Sequence, residues 1–258
     1  MSSSHPGWTA YEYYPSMGAA VVFVICFAIV TLMHTYHLFR TRTWFFIPLV
    51  IGGYFELVGY IGRAMSSKES PDWTIGPYVM QSTLLLVAPA LFAASIYMEL
   101  GRIIVMIFVA GDVLSFLMQA SGAGIMVTGT SSADPSSSAS TGQNVIIGGL
   151  IVQIVFFGFF LISAVIFQRR MGSHSGARAV ADEYPWRKHM WALHSSSILI
   201  LIRSIVRVVE YVQGTHGYLM EHEVFIYVFD GLLMFAMMVI FVIIHPSEVN
   251  YLLGGEES

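Results

Sequence analysis

The stretch WALHSSSILILIRSIVRVVEYV, residues 191–212, decides the class of fold, because it is long and apolar and yet carries three charges. Arg203, Arg207 and Glu210 stand at positions i, i+4 and i+7, so a helix places all three on one face. A charged side chain at the centre of a bilayer costs roughly 2.5–3.5 kcal/mol on insertion scales. This face therefore needs polar partners, water or a ligand, and the interior of the protein is where function is expected.

The composition of the 258-residue chain indicates a membrane protein with several spans. Hydrophobic residues make up 56% of the chain and charged residues only 11%, whereas soluble domains carry about 25% charged residues. The predicted fold class is therefore all-α and polytopic. Because a span needs roughly 20 apolar residues, seven transmembrane helices are predicted, at 17–38, 44–64, 77–100, 104–127, 144–167, 191–212 and 224–244.

Basic residues in the loops predict the orientation of the chain. Eight of the twelve lie on one side, in the 39–43 and 168–190 loops and at the 101–103 turn. The positive-inside rule places that side in the cytoplasm, so the N-terminus is predicted outside and the C-terminus cytoplasmic. The predicted parts are an extracellular segment at 1–16, a seven-helix domain at 17–245 and a cytoplasmic tail at 246–258.

Other predicted spans also carry polar side chains that a bilayer does not accommodate alone. Glu56, Tyr60 and Arg63 share one face of the second span. Arg63 lies near the outer end and is expected to snorkel to the headgroups, whereas Glu56 lies deeper. The remaining candidates for a polar pocket are distributed over the fourth, fifth and seventh spans: Asp112, Gln119, Gln153, Tyr227 and Asp230.

Two interpretations of this polar set remain open. The first is a buried network that fixes helix packing, in which each contact between helices contributes about 0.6–2 kcal/mol. The second is a groove that accepts a lipid headgroup, favoured because the number of charges exceeds what packing requires. Four carboxylates are placed to neutralise the two arginines of the 191–212 stretch: Glu56, Asp112, Glu210 and Asp230.

Pro89 lies inside the third predicted span, within Ala88-Pro89-Ala90. Proline has no amide hydrogen, so it should leave the carbonyl one turn earlier without its helical partner and kink the helix. Most such prolines serve helix packing, and a kink that opens a cavity is the less common alternative.

Histidines near the predicted cytoplasmic side raise the question of a metal site. A zinc site needs about three converging ligands, and no His-Glu-x-x-His motif brings His34, His37, His194 and His245 together. Nucleotide-binding loops and nucleophile elbows are likewise missing from the sequence. Neither a metal, another cofactor nor a catalytic residue set is predicted.

Several segments, in order along the chain, resemble the fungal lipid-translocating exporter family, which is named for resistance to aminocholesterol. The residues that carry the resemblance include 13–16 (YYPS), 56–63 (ELVGYIGR), 88–90 (APA), 108–112 (FVAGD), 203–211 (RSIVRVVEY) and 245–246 (HP). The resemblance implies a seven-span fungal protein, often of the plasma membrane. It also implies links to export or flipping of sphingoid long-chain bases, to tolerance of toxic lipophilic compounds and to porphyrin transport.

One segment departs from the pattern of this family. Its members usually have a polar cytoplasmic loop after a Leu-Gly-Arg segment, whereas here Leu100-Gly101-Arg102 runs directly into Ile103 and Ile104. Two isoleucines are poor turn residues. A loop deleted between the third and fourth spans is therefore expected.

Three functional hypotheses follow, each with a different partner. The leading one is a non-enzymatic exporter or translocase of membrane lipids or lipophilic compounds, of the sphingoid-base class. The first alternative is a seven-span lipid sensor or receptor, with the basic 168–190 loop facing a cytoplasmic partner. The second is an intramembrane metal-dependent lipid hydrolase drawing on His194, Ser195, His245 and Asp112, although their spacing does not suit zinc. Nucleic acid is not an expected partner.

Overall fold

A computed structural model describes residues 11, 14–70, 73–100, 102–129, 135–173, 186–213 and 218–244. All regular structure among these residues is helical, which confirms the all-α prediction. The elements are α1 (Met17–Thr41), a 3₁₀ turn (Trp44–Phe46), α2 (Ile47–Lys68), α3 (Ile75–Leu100), α4 (Arg102–Gly129), α5 (Pro135–Ser173), α6 (Trp186–Gln213), α7 (Tyr218–Glu221), α8 (Glu223–Ile226), a π-helical turn (Tyr227–Leu232) and α9 (Leu233–Ile243).

Six helical segments are long and apolar enough to span a bilayer, so the protein is an integral membrane protein, as predicted. They are Met17–Thr41, Trp44–Lys68, Ile75–Ile96, Ser140–Ile166, Lys188–Gln213 and Glu223–Ile243. The helix α4 has 28 residues, more than the roughly 20 that a span needs, and the side chains of 102–109 and 127–129 lie outside the described residues. The orientation of the bundle stays a prediction.

Local sequence signals set the ends of the first two helices. Ser16 caps α1, since its side-chain oxygen accepts a hydrogen bond from the amide of Ala19. Arg42 ends α1 in the left-handed conformation, with φ of 53°. Pro48 lies in the first turn of α2, where the missing amide hydrogen costs no helical hydrogen bond.

The outward face of α1 identifies a surface that faces lipid. Large apolar side chains recur along it at spacings of three and four residues, and each of them is more than half exposed: Val22, Ile25, Ile29, Leu32 and Tyr36. A continuous apolar stripe of this kind is unfavourable in water but matches hydrocarbon.

The helices pack mainly against their neighbours in the chain, and α9 contacts both α6 and α1, which closes the bundle. Glycines bring α2 close to α3. A Cβ atom on Gly52 would lie 2.7 Å from Cε1 of Phe92, and one on Gly59 would lie 2.7 Å from Cδ2 of Leu85. Small residues at such contacts let helix backbones approach closely in membranes.

Candidate functional site

The charged face of α6 points into the bundle, where it meets the π-helical turn. Arg203 is buried, and its Nε donates a hydrogen bond of 2.6 Å to Oδ1 of Asp230. The Nη2 of Arg207 donates to the other oxygen, Oδ2 of Asp230, at 3.0 Å. One carboxylate therefore binds two arginines one helical turn apart.

Asp230 occupies an unusual piece of backbone. The turn Tyr227–Leu232 is π-helical, a conformation that is rare and frequently found at functional sites. Within it, Asp230 and the neighbouring Gly231 are buried. Residue spacing in the sequence gives no signal for this turn.

Arg203 has a second acceptor, which Pro89 makes available. In a regular helix the carbonyl of Leu85 accepts from the amide of residue 89, but proline has no amide hydrogen. Nη2 of Arg203 donates to this carbonyl instead. The predicted release of a carbonyl by Pro89 is therefore confirmed, and it links α3 to α6.

Glu210 pairs within α6. Its Oε2 lies 3.1 Å from Nη1 of Arg207, three residues earlier, and both side chains are only slightly exposed. Together, Arg203, Arg207, Glu210 and Asp230 are called the Arg203 cluster below. Its two arginines are thus matched by two hydrogen-bonded carboxylates.

Glu56 is a third carboxylate beside the Arg203 cluster, and no described arginine forms a hydrogen bond with it. Its side chain is fully buried in α2, and neither oxygen forms a hydrogen bond with any residue that the structure describes. It interacts electrostatically with Asp230, Arg203 and Arg207. The sequence predicted it as one of four neutralising acids, and the structure places it close to the arginines without a direct bond.

Tyr60 follows one turn after Glu56, on the same face of α2. Its ring stacks against those of Phe23 and Phe27, with centroids 5.2 and 5.6 Å away. Its hydroxyl makes no hydrogen bond to a described residue and lies against Gly231, where a Cβ atom would come within 2.5 Å of it. Glu56 and Tyr60 are thus two buried polar groups, one helical turn apart, without hydrogen bonds to the described residues.

A second group of polar residues, here called the Arg63 cluster, lies where α2 ends and α8 begins. Nη2 of Arg63 pairs with Oε1 of Glu223 at 2.9 Å, and Nε donates to the hydroxyl of Tyr227 at 3.0 Å. Oε1 of Glu223 also accepts from the amide of Ser16 at 2.7 Å. Arg63 is fully buried, so the expectation that it snorkels to the headgroups is wrong, because a carboxylate inside the bundle satisfies it.

The segment before α1 also packs on this end of the bundle. The hydroxyl of Tyr11 donates to Oε1 of Gln81 at 2.7 Å, and its ring contacts Trp73 and Tyr78 edge-on. Sequence reasoning missed Tyr11, Ser16 and Glu223 as members of a site. For Glu223 a signal existed, because it stands four residues before Tyr227 and so shares its helix face.

The amide residues form a separate group between α4 and α5. Nε2 of Gln119 donates to Oγ of Ser115 at 2.8 Å and to Oε1 of Gln153 at 3.1 Å. Asp112 is buried in α4, and none of the described hydrogen bonds or ion pairs joins it to Arg203 or Arg207. The residues predicted to line one polar pocket therefore divide into separate groups.

The Arg203 cluster lines a small cleft together with apolar side chains that include Leu219, Phe225 and Phe229. Its volume is about 10 Å³, which is room for about one water molecule. A larger groove of about 520 Å³ lies on the lipid-facing side of α1, along Leu32, Tyr36 and Phe39. The cleft beside the Arg203 cluster is thus too small for a lipid headgroup.

Histidine contacts bear on the hydrolase alternative. The side chains of His194 and Ser195 bond to backbone carbonyls of their own helix, at 2.6 Å to Met190 and 2.8 Å to Trp191. Within the described part of the chain, no three His, Cys, Asp or Glu side chains converge as metal ligands do. His245 lies outside the described residues.

This architecture defines a polytopic, all-helical membrane protein with a charged interior. The chain belongs to the family described as RTA1 like protein, which matches residues 49–251. It is 37% identical to Protein RTM1 and 38% identical to Protoporphyrin uptake protein 1, both of Saccharomyces cerevisiae, over 93% of this chain and of each relative. It is 24% identical to the Sphingoid long-chain base transporter RSB1 of the same species, over 90% of this chain and 72% of that protein. No solved structure matches the chain.

The relatives also contain segments that this chain lacks. The matched stretches cover 300 residues for Protein RTM1 and 295 for Protoporphyrin uptake protein 1, more than the 258 residues present here. This agrees with the expected loss of a loop. Its predicted place between the third and fourth spans stays a prediction, because Gly101 lies outside the described residues.

Proposed function

We propose that this protein is a transporter that moves amphiphilic compounds across the fungal plasma membrane, with sphingoid long-chain bases as the leading substrate class. The relative named as a sphingoid long-chain base transporter supports this class. The observation that carries the proposal is Glu56, a fully buried acid without a hydrogen bond to the described residues. A buried charge of this kind is expensive unless it is paired, so it is retained for a partner that arrives.

The charges of the interior favour a cationic substrate. Arg203 and Arg207 bind Asp230 and Glu210, so both arginines already have anionic partners. Glu56 lies beside them, and neither of its oxygens forms a hydrogen bond with a described residue. An ammonium group supplies one positive charge and up to three hydrogen-bond donors. A sphingoid base combines such a group with a long alkyl chain, which the lipid-facing helix surfaces accommodate.

The proposed transport cycle needs a second conformation. The cleft beside the Arg203 cluster holds about 10 Å³, so a substrate headgroup enters only when α6 and the π-helical turn separate. Asp230 holds that turn to both arginines. We therefore place the moving wall of the site at Tyr227–Leu232.

A porphyrin is the second candidate substrate, because the relative named Protoporphyrin uptake protein 1 is more similar to this chain than RSB1 is. Porphyrins carry carboxylates, which would bind arginines rather than Glu56. The two candidates therefore differ in which charged side chain they require. Loss of transport on Glu56→Gln favours the cationic substrate, whereas a porphyrin transporter should tolerate this change.

Vesicles reconstituted with the purified protein test the proposal. A fluorescent sphingoid base is added, and a membrane-impermeant quencher reports how much of it crosses the bilayer. We expect movement faster than in protein-free vesicles, and the same movement with the control variant Glu69→Gln. Glu69 lies just past α2 and accepts hydrogen bonds from Thr74, which glutamine also accepts. Movement no faster than without protein would contradict the proposal.

The sensor alternative predicts a different result in the same preparation. A receptor binds the base without moving it and changes its affinity for a cytoplasmic partner. Binding of the base without transbilayer movement, together with a base-dependent partner that requires the 168–190 loop, would favour the sensor.

A further inference from the structure

Glu56 differs from the acids for which the structure describes an ion pair with an arginine. Asp230, Glu210 and Glu223 each lie within 3.1 Å of an arginine nitrogen. Glu56 is more deeply buried than any of them and makes no hydrogen bond to a described residue. Arg203 donates to Asp230 and to the carbonyl of Leu85, and no described hydrogen bond joins it to Glu56.

The surroundings of Glu56 do not supply a new partner. The charged groups that act on it are Asp230 in the π-helical turn and the two arginines of α6. Its own helix contributes the neutral Tyr60, whose hydroxyl also lacks a described hydrogen bond. The residues that α1, α3 and α9 place against the adjacent glycines of α2 are uncharged: Thr31, Phe92, Ala88 and Met238.

Electrostatics then decide which form of the carboxyl group suits this place. An ionised carboxylate without a hydrogen-bond donor is strongly unfavourable in a low-dielectric interior. The hydrogen bonds described for Arg203 and Arg207 go to Asp230, Glu210 and the carbonyl of Leu85. A neutral carboxylic acid, by contrast, brings no charge into this interior.

We propose that Glu56 is a proton-binding site, and that it exchanges its proton for the ammonium group of the substrate. When the substrate enters, the O–H bond of Glu56 breaks, and the proton passes to water on the side that is open. The carboxylate left behind pairs with the ammonium group. On the other side the ammonium leaves and a proton returns, so one proton crosses against each cationic substrate and no net charge moves.

This exchange rests on the proposed function, whereas proton occupancy of Glu56 does not. In this exchange, the proton gradient across the membrane supplies the energy for export.

Infrared difference spectroscopy of the purified protein in lipid discs tests proton occupancy without any substrate. A protonated carboxyl group shows a carboxylic C=O stretching band, which an ionised one lacks. We expect such a band at neutral pH in the wild type and in Glu69→Gln, and its loss in Glu56→Gln. If the glutamine variant does not fold, Glu56→Asp should shift the band instead. Wild-type and Glu56→Gln spectra that coincide, or an unshifted band in Glu56→Asp, would overturn the proposal.

A pH gradient across reconstituted vesicles separates the exchange from the proposed function. Movement of a fluorescent sphingoid base should accelerate when protons are driven in the opposite direction and slow when the gradient is reversed. Equal rates under both gradients would overturn the exchange and leave the proposed transport intact. A carboxylic band without any movement of the base would support the proton site, overturn the exchange and contradict the proposed function.

Discussion

The Arg63 cluster and the Arg203 cluster use the same kinds of side chain but differ in how completely their surroundings are paired. In the Arg63 cluster, one carboxylate faces one guanidinium, and Tyr227 and the amide of Ser16 complete the bonds of Glu223. Beside the Arg203 cluster lie Glu56 and Tyr60, two buried polar groups without described hydrogen bonds.

This difference separates a structural role from a functional one. Complete pairing of buried charges holds helices together and leaves nothing for a ligand to bind. An unmatched buried acid weakens the fold unless a proton or a substrate neutralises it. Removing a charge should therefore cost stability at the Arg63 cluster and within the Arg203 cluster, but cost activity at Glu56.

The largest effect on stability is expected for Arg203→Met. This change leaves Asp230 without one of its arginines and the carbonyl of Leu85 without a donor. Breaking a buried pair costs about 3–5 kcal/mol, so little folded protein should be recovered in detergent, as measured by size-exclusion chromatography and thermal unfolding. The control Arg169→Met, at an exposed position, should change the unfolding free energy by less than about 0.5 kcal/mol. Wild-type stability in Arg203→Met would show that this cluster does not hold the helices.

A smaller effect is expected for Glu223→Gln, which breaks the Arg63 cluster. Glutamine keeps an acceptor oxygen but loses the charge that faces Arg63, and hydrogen bonds to charged groups exceed neutral ones by about 1–2 kcal/mol. The unfolding free energy should fall by about this amount. Transport per folded molecule should stay near the wild-type value. Complete loss of transport at unchanged stability would place the Arg63 cluster in the substrate path.

Glu210→Gln should cost still less stability, about 1 kcal/mol. Among the described residues, Glu210 pairs with Arg207 alone, and it lies beside the cleft. Tolerance of a toxic sphingoid base in cells should nevertheless fall. Without its partner, Arg207 would compete with the substrate's ammonium group for the other carboxylates. Surface labelling checks that the variant reaches the membrane. If less of the variant reaches the cell surface, the lower tolerance is explained by a weakened fold, and Glu210 has a structural role.

The smallest effect on stability is expected for Glu56→Gln. No described hydrogen bond is lost, and the neutral amide is similar in size, so the unfolding free energy should change by about 0.5 kcal/mol or less, or rise. Thermal unfolding of Glu56→Gln and Glu223→Gln under the same conditions compares how much stability each variant loses. If Glu56→Gln lowers the unfolding free energy more than Glu223→Gln does, the assignment of a structural role to the Arg63 cluster and a functional role to Glu56 is contradicted.

Local patterns in the sequence were enough to predict the helical membrane fold and the charged face of α6. Helical periodicity places Arg203, Arg207 and Glu210 together, and the missing amide hydrogen of Pro89 predicts a free carbonyl. Both are properties of residues a few positions apart, which a sequence displays directly.

The pairing across the bundle could not be predicted in the same way. Arg63 was expected at the headgroups, yet its partner Glu223 lies 160 positions away and reaches it from another helix. The π-helical turn that carries Asp230 also leaves no periodic signal. Periodicity indicates which face of a helix is polar, whereas the identity of the facing residue depends on how the helices pack.

Transbilayer movement of a fluorescent sphingoid base, measured for Glu56→Gln and Glu223→Gln in vesicles with equal amounts of folded protein, tests the central claim most directly. The unmatched acid at Glu56 is predicted to be the functional group. Glu56→Gln should therefore move the base no faster than protein-free vesicles, while Glu223→Gln retains most of the wild-type rate. Wild-type movement by Glu56→Gln would contradict the claim.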